Sequence, residues 1–254
     1  MATNIQTLTA ASGTYTTPAG ATQIVVECWG GGGPGGSVSG YPCAGGGGQG
    51  GYYARKTITS PASSYSYAVS LSKASAYSAS PVLGNDSTFG STLCIAKGGQ
   101  GGYGQATSGA NNFSGAGGST NSGSSGDVVW AGGAGSAGTY SVRSGSGGGT
   151  AGPSNNGGAG GTATGGTGYC TAPSNAGNGA AGRTSAGVGT AGSTYGGGGS
   201  GGMSSSFTDR AGGAGAAGVI IVTATVPDEV PWWWMPASRW KRLTYGVLKR
   251  HARR

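Results

Sequence analysis

The sequence predicts a mainly β protein: a small antiparallel β-sandwich, an inserted glycine-rich bundle of polyproline II helices, and a short C-terminal amphipathic helix. Three observations carry that expectation. Glycine fills 61 of 254 positions, and charged residues are only 8% of the chain. Ile, Leu, Val and Phe together make up about a tenth of it, too little for a conventional core of this length. Finally, a strong strand precedes the glycine-rich stretch and another follows it, so the stretch reads as an insertion into a sheet.

The elements follow in order. Gly13–Gly20 reads as a short strand and a Pro-Ala-Gly turn, and the β-branched segment Thr22–Trp29 as a strand running into Gly30. Ala54–Thr59 and Ser64–Leu71 are further strands on either side of Ser60-Pro61-Ala62. In the second of these, Tyr65, Tyr67, Val69 and Leu71 alternate with small or polar residues, predicting one buried face. Thr88–Ala96 adds one or two strands, and Ala217–Val226 closes the sheet. The module therefore comprises residues 1–96 and 217–226.

Between them, residues 97–216 carry almost no strand signal. Glycines recur there every third residue, as in Gly98/Gly101/Gly104, Gly132/Gly135/Gly138, Gly196/Gly199/Gly202 and Gly212/Gly215/Gly218. Three is the period of the polyproline II helix, which has no internal hydrogen bonds and closes them only with neighbours. Breaks in the register and scarce proline exclude collagen. A flexible Gly/Ser linker is the competing reading, but a stretch of this length without structure is unusual inside a domain. The tract from Gly30 to Gly51 is expected to join the bundle.

Chemistry is thinly supplied. One histidine, His251, and six carboxylates offer neither a nucleophile–base–acid arrangement nor a carboxylate pair, so no enzyme is expected. Cys28, Cys43, Cys94 and Cys170 lack metal-ligand spacing, and neither metal nor cofactor is expected. Cys28 and Cys94 read as small buried hydrophobes. Cys43 and Cys170 lie in loops, where a disulfide between them is left open. No apolar run reaches the ~18 residues of a membrane span, and none follows Met1 as a signal peptide would. Much of the net charge of +8 comes from the tail, residues 227–254, so a nucleic-acid footprint over the whole surface is not expected.

The opening Gly13–Thr22, the strand to Trp29 with Gly30–Gly33, the middle segment Gly84-Asn85-Asp86-Ser87-Thr88-Phe89-Gly90 and the closing Gly215–Val222 resemble glycine-rich domains of bacteriophage tail fibres. The glycine zone also resembles tail-fibre-tip adhesins built from packed polyproline II helices. That resemblance implies a virion protein that recognises a host-surface receptor, a saccharide or an outer-membrane protein, through loops at the distal ends of the helices. The runner-up is a structural head or collar fibre, and an ice-binding protein is a remote third.

If the glycine runs are helices, the segments between them are tips. Their candidate receptor-binding residues are Asn112, Phe113, Asp127, Trp130, Tyr140, Arg143, Tyr169, Arg183, Phe207 and Arg210. An aromatic ring covers an apolar ligand face while polar groups fix its orientation. The competing role is to plug the bundle ends. The tail carries Trp232, Trp233 and Trp234 between prolines. A predicted helix near 237–251 then places Trp240, Leu243, Val247, Leu248 and His251 on one face. These residues are expected to attach the chain to other virion proteins, and the assembly is expected to be a homo-oligomer.

Overall fold

The computed structural model describes residues 1–227 except 41, 79, 106–112, 116, 119–121, 141, 171–176 and 207. The described residues form twelve strands: β1 (Ala2–Leu8), β2 (Ser12–Thr16), β3 (Gln23–Trp29), β4 (Cys43–Ala44), β5 (Tyr53–Thr59), β6 (Ser64–Ala68), β7 (Ser87–Phe89), β8 (Cys94–Ala96), β9 (Phe113–Ser114), β10 (Val128–Trp130), β11 (Met203–Ser204) and β12 (Val219–Val226). No α-helix occurs among them. The helix expected near 237–251 lies outside the described residues.

An antiparallel five-stranded sheet, β1-β12-β3-β5-β10, faces a four-stranded sheet, β2-β6-β7-β8. Alternation decides what lies between them. Ile24, Val26, Cys28, Ile220, Val222 and Ala224 point from the first sheet to Tyr15, Phe89, Cys94 and Ala96 of the second. Tyr15 and Tyr65 stack on Phe89 with ring centroids 5.7 and 5.1 Å apart. Burying each large aliphatic side chain is worth about 1.5–3 kcal/mol, so this thin apolar seam holds the sandwich. The chain turns between β7 and β8 through Gly90, whose φ of 58° suits glycine.

Three details differ from the expectation. A further strand, β1, pairs with β12 from Ala2↔Val226 to Leu8↔Ile220. Its polar, mostly exposed sequence gives no period-2 signal. β6 ends at Ala68, so Leu71 is exposed rather than on the buried face. Val128–Trp130, expected as a distal tip, is instead an edge strand of the main sheet, paired with Tyr53–Arg55.

Among the described residues the glycine zone is built on regular backbone hydrogen bonds, and it grows directly out of the sheet. Trp29 pairs with Tyr53 in β3–β5. Beyond that pair the same register continues as Gly30 N–H to Tyr52 C=O, Gly33 to Gln49 and Gly36 to Gly46 (2.8–2.9 Å). The β3–β12 pairing continues likewise, through Gly32 to Ala216, Gly35 to Gly213 and Val38 to Arg210. Within a strand pair the ladder repeats every second residue; here it repeats every third, the period of polyproline II.

The segment 45–51 lies at the centre of this bundle. Its backbone bonds to 30–38 and 97–103, to 115–118 and 133–136, and to 145–151 and 196–202. Such packing leaves no room for Cβ atoms. A Cβ on Gly198 would lie 2.2 Å from the Gly48 carbonyl oxygen, and one on Gly135 2.1 Å from that of Gly47. The period-three glycines seen in the sequence are thus the faces on which neighbouring backbones touch, and the 30–51 tract is part of the bundle as expected.

Candidate functional site

Hydrogen-bond register sorts the candidate tip residues between two ends of the bundle. At the distal end, Val38 and Arg210 exchange two backbone bonds of 2.9 and 2.8 Å. Thr139 and Arg143 close a tight turn with bonds of 2.7 and 3.0 Å. Ser144 N–H donates to the Arg183 carbonyl at 2.8 Å, and Arg183 N–H to Ser144 Oγ at 2.9 Å. A small sheet, β11-β4-β9, ties the same end together, with Cys43 opposite both Ser204 and Phe113. Ser39 Oγ donates to Asp209 Oδ1 at 2.8 Å.

Tyr140, Arg143, Arg183 and Arg210 therefore share the end remote from the sandwich, and Phe113 joins them through β9. Asn112 and Phe207 lie outside the described residues. The three arginine side chains are half-buried, with each Nε covered by the bundle and without a hydrogen-bond partner. Arg183 lies against Gly187, where a Cβ would meet Nε, Cζ and Nη2 at 2.7–2.9 Å. Sequence reasoning missed Ser39. The available signal for the arginines was that each flanks a glycine run.

The other candidates stand at the sandwich end. Asp127 Oδ1 accepts from Lys56 Nζ at 2.6 Å and its Oδ2 from Thr57 N–H at 2.8 Å. These contacts, the lysine first, hold its carboxyl below the ordinary range. Trp130 Nε1 donates to the Pro153 carbonyl at 3.1 Å, and its ring packs on a cluster holding Trp29, Tyr53, Val219 and Ile221. Trp29 Nε1 reaches the Ala151 carbonyl at 3.1 Å. These indoles fasten glycine loops to the sheet, which is the plugging role. Tyr169 is also at this end, its amide bonded to Thr150 C=O, and its ring is partly exposed.

Charge separates with position. Glu27, Asp86 and Asp127 belong to the sandwich end, where Glu27 accepts from Tyr53 Oη at 2.7 Å and Asp86 pairs with Lys97 at 2.7 Å. Burial first, then the bond to Glu27, pushes the Tyr53 phenol far above its ordinary value. At the distal end, Asp209 is the one carboxylate among the described residues.

The cysteines correct an open question. Cys43 lies at the distal end and Cys170 beside Trp29 at the other, so a disulfide between them is not compatible with this fold. Cys28 and Cys94 are the buried pair expected; burial first, then the Cys94 thiol beside it, pushes Cys28 up. The tail residues Trp232, Trp233, Trp234, Trp240, Leu243, Val247 and Leu248 lie outside the described residues. The described chain leaves the sheet after Val226, opposite Ala2 and at the far end of β12 from the bundle.

A β-sandwich whose strands continue into a glycine-rich bundle, with loops at the far pole, defines a glycine-organised, mainly β domain. The chain belongs to the glycine-rich domain family, whose model matches residues 7–225. No curated protein matches it.

Proposed function

We propose that the protein is a non-catalytic bacteriophage virion appendage, a tail fibre or tail-tip adhesin. In this reading it binds a host-surface receptor through loops between glycine-rich helices. The observation that carries the reading is polarity. Ala2 and Val226 pair at one pole, while the loops bearing Tyr140, Arg143, Arg183 and Arg210 gather at the other. One pole is thereby left for attachment and the other for recognition. The bundle between them is rigid by construction, because backbone bonds tie each segment to several neighbours.

Catalysis has no part in this reading, since the described carboxylates serve as acceptors for Tyr53, Lys97, Lys56 and Ser39. Attachment falls to residues 227–254 and to contacts between copies. β1 supports the latter: it is an edge strand with Ile5 67% exposed, and an open edge is a template for pairing.

The test is adsorption of the purified protein to susceptible hosts and to receptor-deficient derivatives. Binding to the first alone is expected, and equal binding to both overturns the receptor reading. The structural head or collar fibre remains the second reading, favoured by an interior sealed by backbone atoms. Substituting Asn112, Phe113, Tyr140 and Phe207 together separates the two. Adsorption lost with assembly intact supports the adhesin, and unchanged adsorption supports the fibre.

A further inference from the structure

Three arginines distant in sequence arrive at one pole: Arg143 on the 139–143 turn, Arg183 at the end of the 177–183 segment, and Arg210 opposite Val38. Among the described residues none of their guanidinium groups has a carboxylate within 4.0 Å. Each Nε is covered and unbonded. The sole described carboxylate nearby, Asp209, already takes the Ser39 hydroxyl. A buried stem removes rotamer freedom before a ligand arrives, so less entropy is lost when a guanidinium meets an anion. Uncompensated positive charge on anchored stems is a recognition device for carboxylate, phosphate or sulfate groups.

We infer that the distal pole binds an anionic polysaccharide, with Arg143, Arg183 and Arg210 supplying the charge contacts. The inference deepens the receptor-binding reading and rests on it. The rim favours a saccharide over a protein. Thr139, Thr184, Ser185 and Thr208 are exposed hydroxyl side chains, and Tyr140 supplies a half-buried ring. Such groups match sugar hydroxyls and one apolar sugar face. A protein docking site would need larger apolar anchors at its centre, and among the described residues the exposed aliphatic side chains of this pole are Val142 and Val188.

The experiment measures binding of the full chain to dextran sulfate, polygalacturonate, polyglutamate and neutral dextran, at about 50 and 500 mM NaCl. Three variants are compared: R143Q/R183Q/R210Q, the same three positions as lysine, and R239Q/K241Q/R242Q in the tail. Wild type is expected to bind the two anionic polysaccharides, weakly at high salt, and neutral dextran not at all. The glutamine variant is expected to lose about tenfold or more of that affinity. The lysine variant, which keeps the charge and controls for folding, is expected to recover part of it. The tail variant is expected to bind like wild type. Equal binding to neutral dextran, equal or tighter binding to polyglutamate, or loss in the tail variant alone overturns the inference. Host adsorption separates it from the parent reading. Adsorption that needs Tyr140 but tolerates R143Q/R183Q/R210Q sinks the anion site and leaves the receptor reading standing. Polyanion binding retained beside equal adsorption to receptor-deficient hosts does the reverse.

Discussion

Gly48→Ala is the sharpest probe of the bundle. The new Cβ would lie 2.1 Å from the Gly33 carbonyl oxygen and 2.5 Å from its carbon, whereas ordinary contact begins at 3.4 Å. Segments 30–38 and 45–51 must therefore part by roughly 1.3 Å, because backbone has no rotamer to yield with. Gly33 N–H to Gln49 C=O and Gly36 N–H to Gly46 C=O, now 2.8 and 2.9 Å, would stretch to roughly 4 Å, past any useful hydrogen bond. Both pairs are buried. Leaving two donors unmade costs about 2–6 kcal/mol at ~1–3 kcal/mol each. Alanine returns only about 0.4–1 kcal/mol by stiffening the unfolded chain. A loss of that size is a large share of a domain's total stability of about 5–15 kcal/mol. It corresponds to melting roughly 5–20 °C lower.

The assay pairs thermal melting with amide exchange at Gly33 and Gly36, using Gly13→Ala as the comparison. At Gly13 only the end of the Tyr67 ring obstructs the Cβ, with Oη at 2.7 Å. A side chain can swing aside, so a change below about 1 kcal/mol is expected there. Gly48→Ala melting with wild type, with both amides still protected, would refute the claim that glycine is required by backbone contact.

Three further outcomes follow from single sites. Tyr53→Phe should cost about 1–3 kcal/mol, because Glu27 loses its phenol donor in a half-buried place. The native Tyr53 value is raised, so its share of the stability is intact below its ordinary 10.0 and falls as pH rises above it; alkaline melting of wild type and variant checks this. Asp127→Asn should speed exchange at Val128–Trp130, since Lys56 and Thr57 anchor the turn into β10. Its value is lowered, so that contribution is present above 3.8 and fades as pH falls below it; the two exchange profiles should converge in acid. All four cysteine side chains are buried, so alkylation at pH 8 should label none until denaturant is added, and rapid native labelling of Cys28 would contradict the packing of the two sheets.

The sandwich was legible where side chains alternate. β3 and β12 are β-branched runs whose inward residues must meet an apolar face, and the sequence places both within a residue or two. β1 was not legible, because it is held by backbone pairing to β12 and buries almost nothing of its own. The bundle was legible in period but not in arrangement. Glycine density carries more than was taken from it: the nearly continuous glycines of 45–51 and 196–202 mark segments touched on all sides, while Gly187/Gly189/Gly192 mark one touched on fewer. The tip was half legible. Aromatic and charged residues between glycine runs look alike in sequence, whichever end of the bundle the run stops at. Direction decides it: 30–38 runs away from the sheet and 45–51 back towards it. Counting reversals from Trp29 would have put Arg143 and Arg210 at the far pole and Trp130 beside the sandwich.

That alternation also explains how side-chain freedom is distributed. Inside the bundle the partner of most N–H groups is a backbone carbonyl, so what a position mainly needs is the absence of a Cβ. The few buried side chains there do backbone work: Gln49 Nε2 reaches the Gly132 carbonyl, Ser200 Oγ accepts from Thr190 N–H, and Thr150 Oγ1 donates to Gly51 C=O. A loop at the distal pole is under a different constraint. It must only return the chain from one segment to the next in register, as Thr139 and Arg143 do with two backbone bonds. Its side chains are not required to fill a core, because the backbone already fills it. Substitutions at Tyr140, Val142 or Thr184 therefore leave the packing of 45–51 untouched, whereas one methyl on Gly48 does not. A fold with that division holds its distal loops rigidly while leaving their chemistry open to change, and it does so with an apolar content that would not sustain an ordinary core.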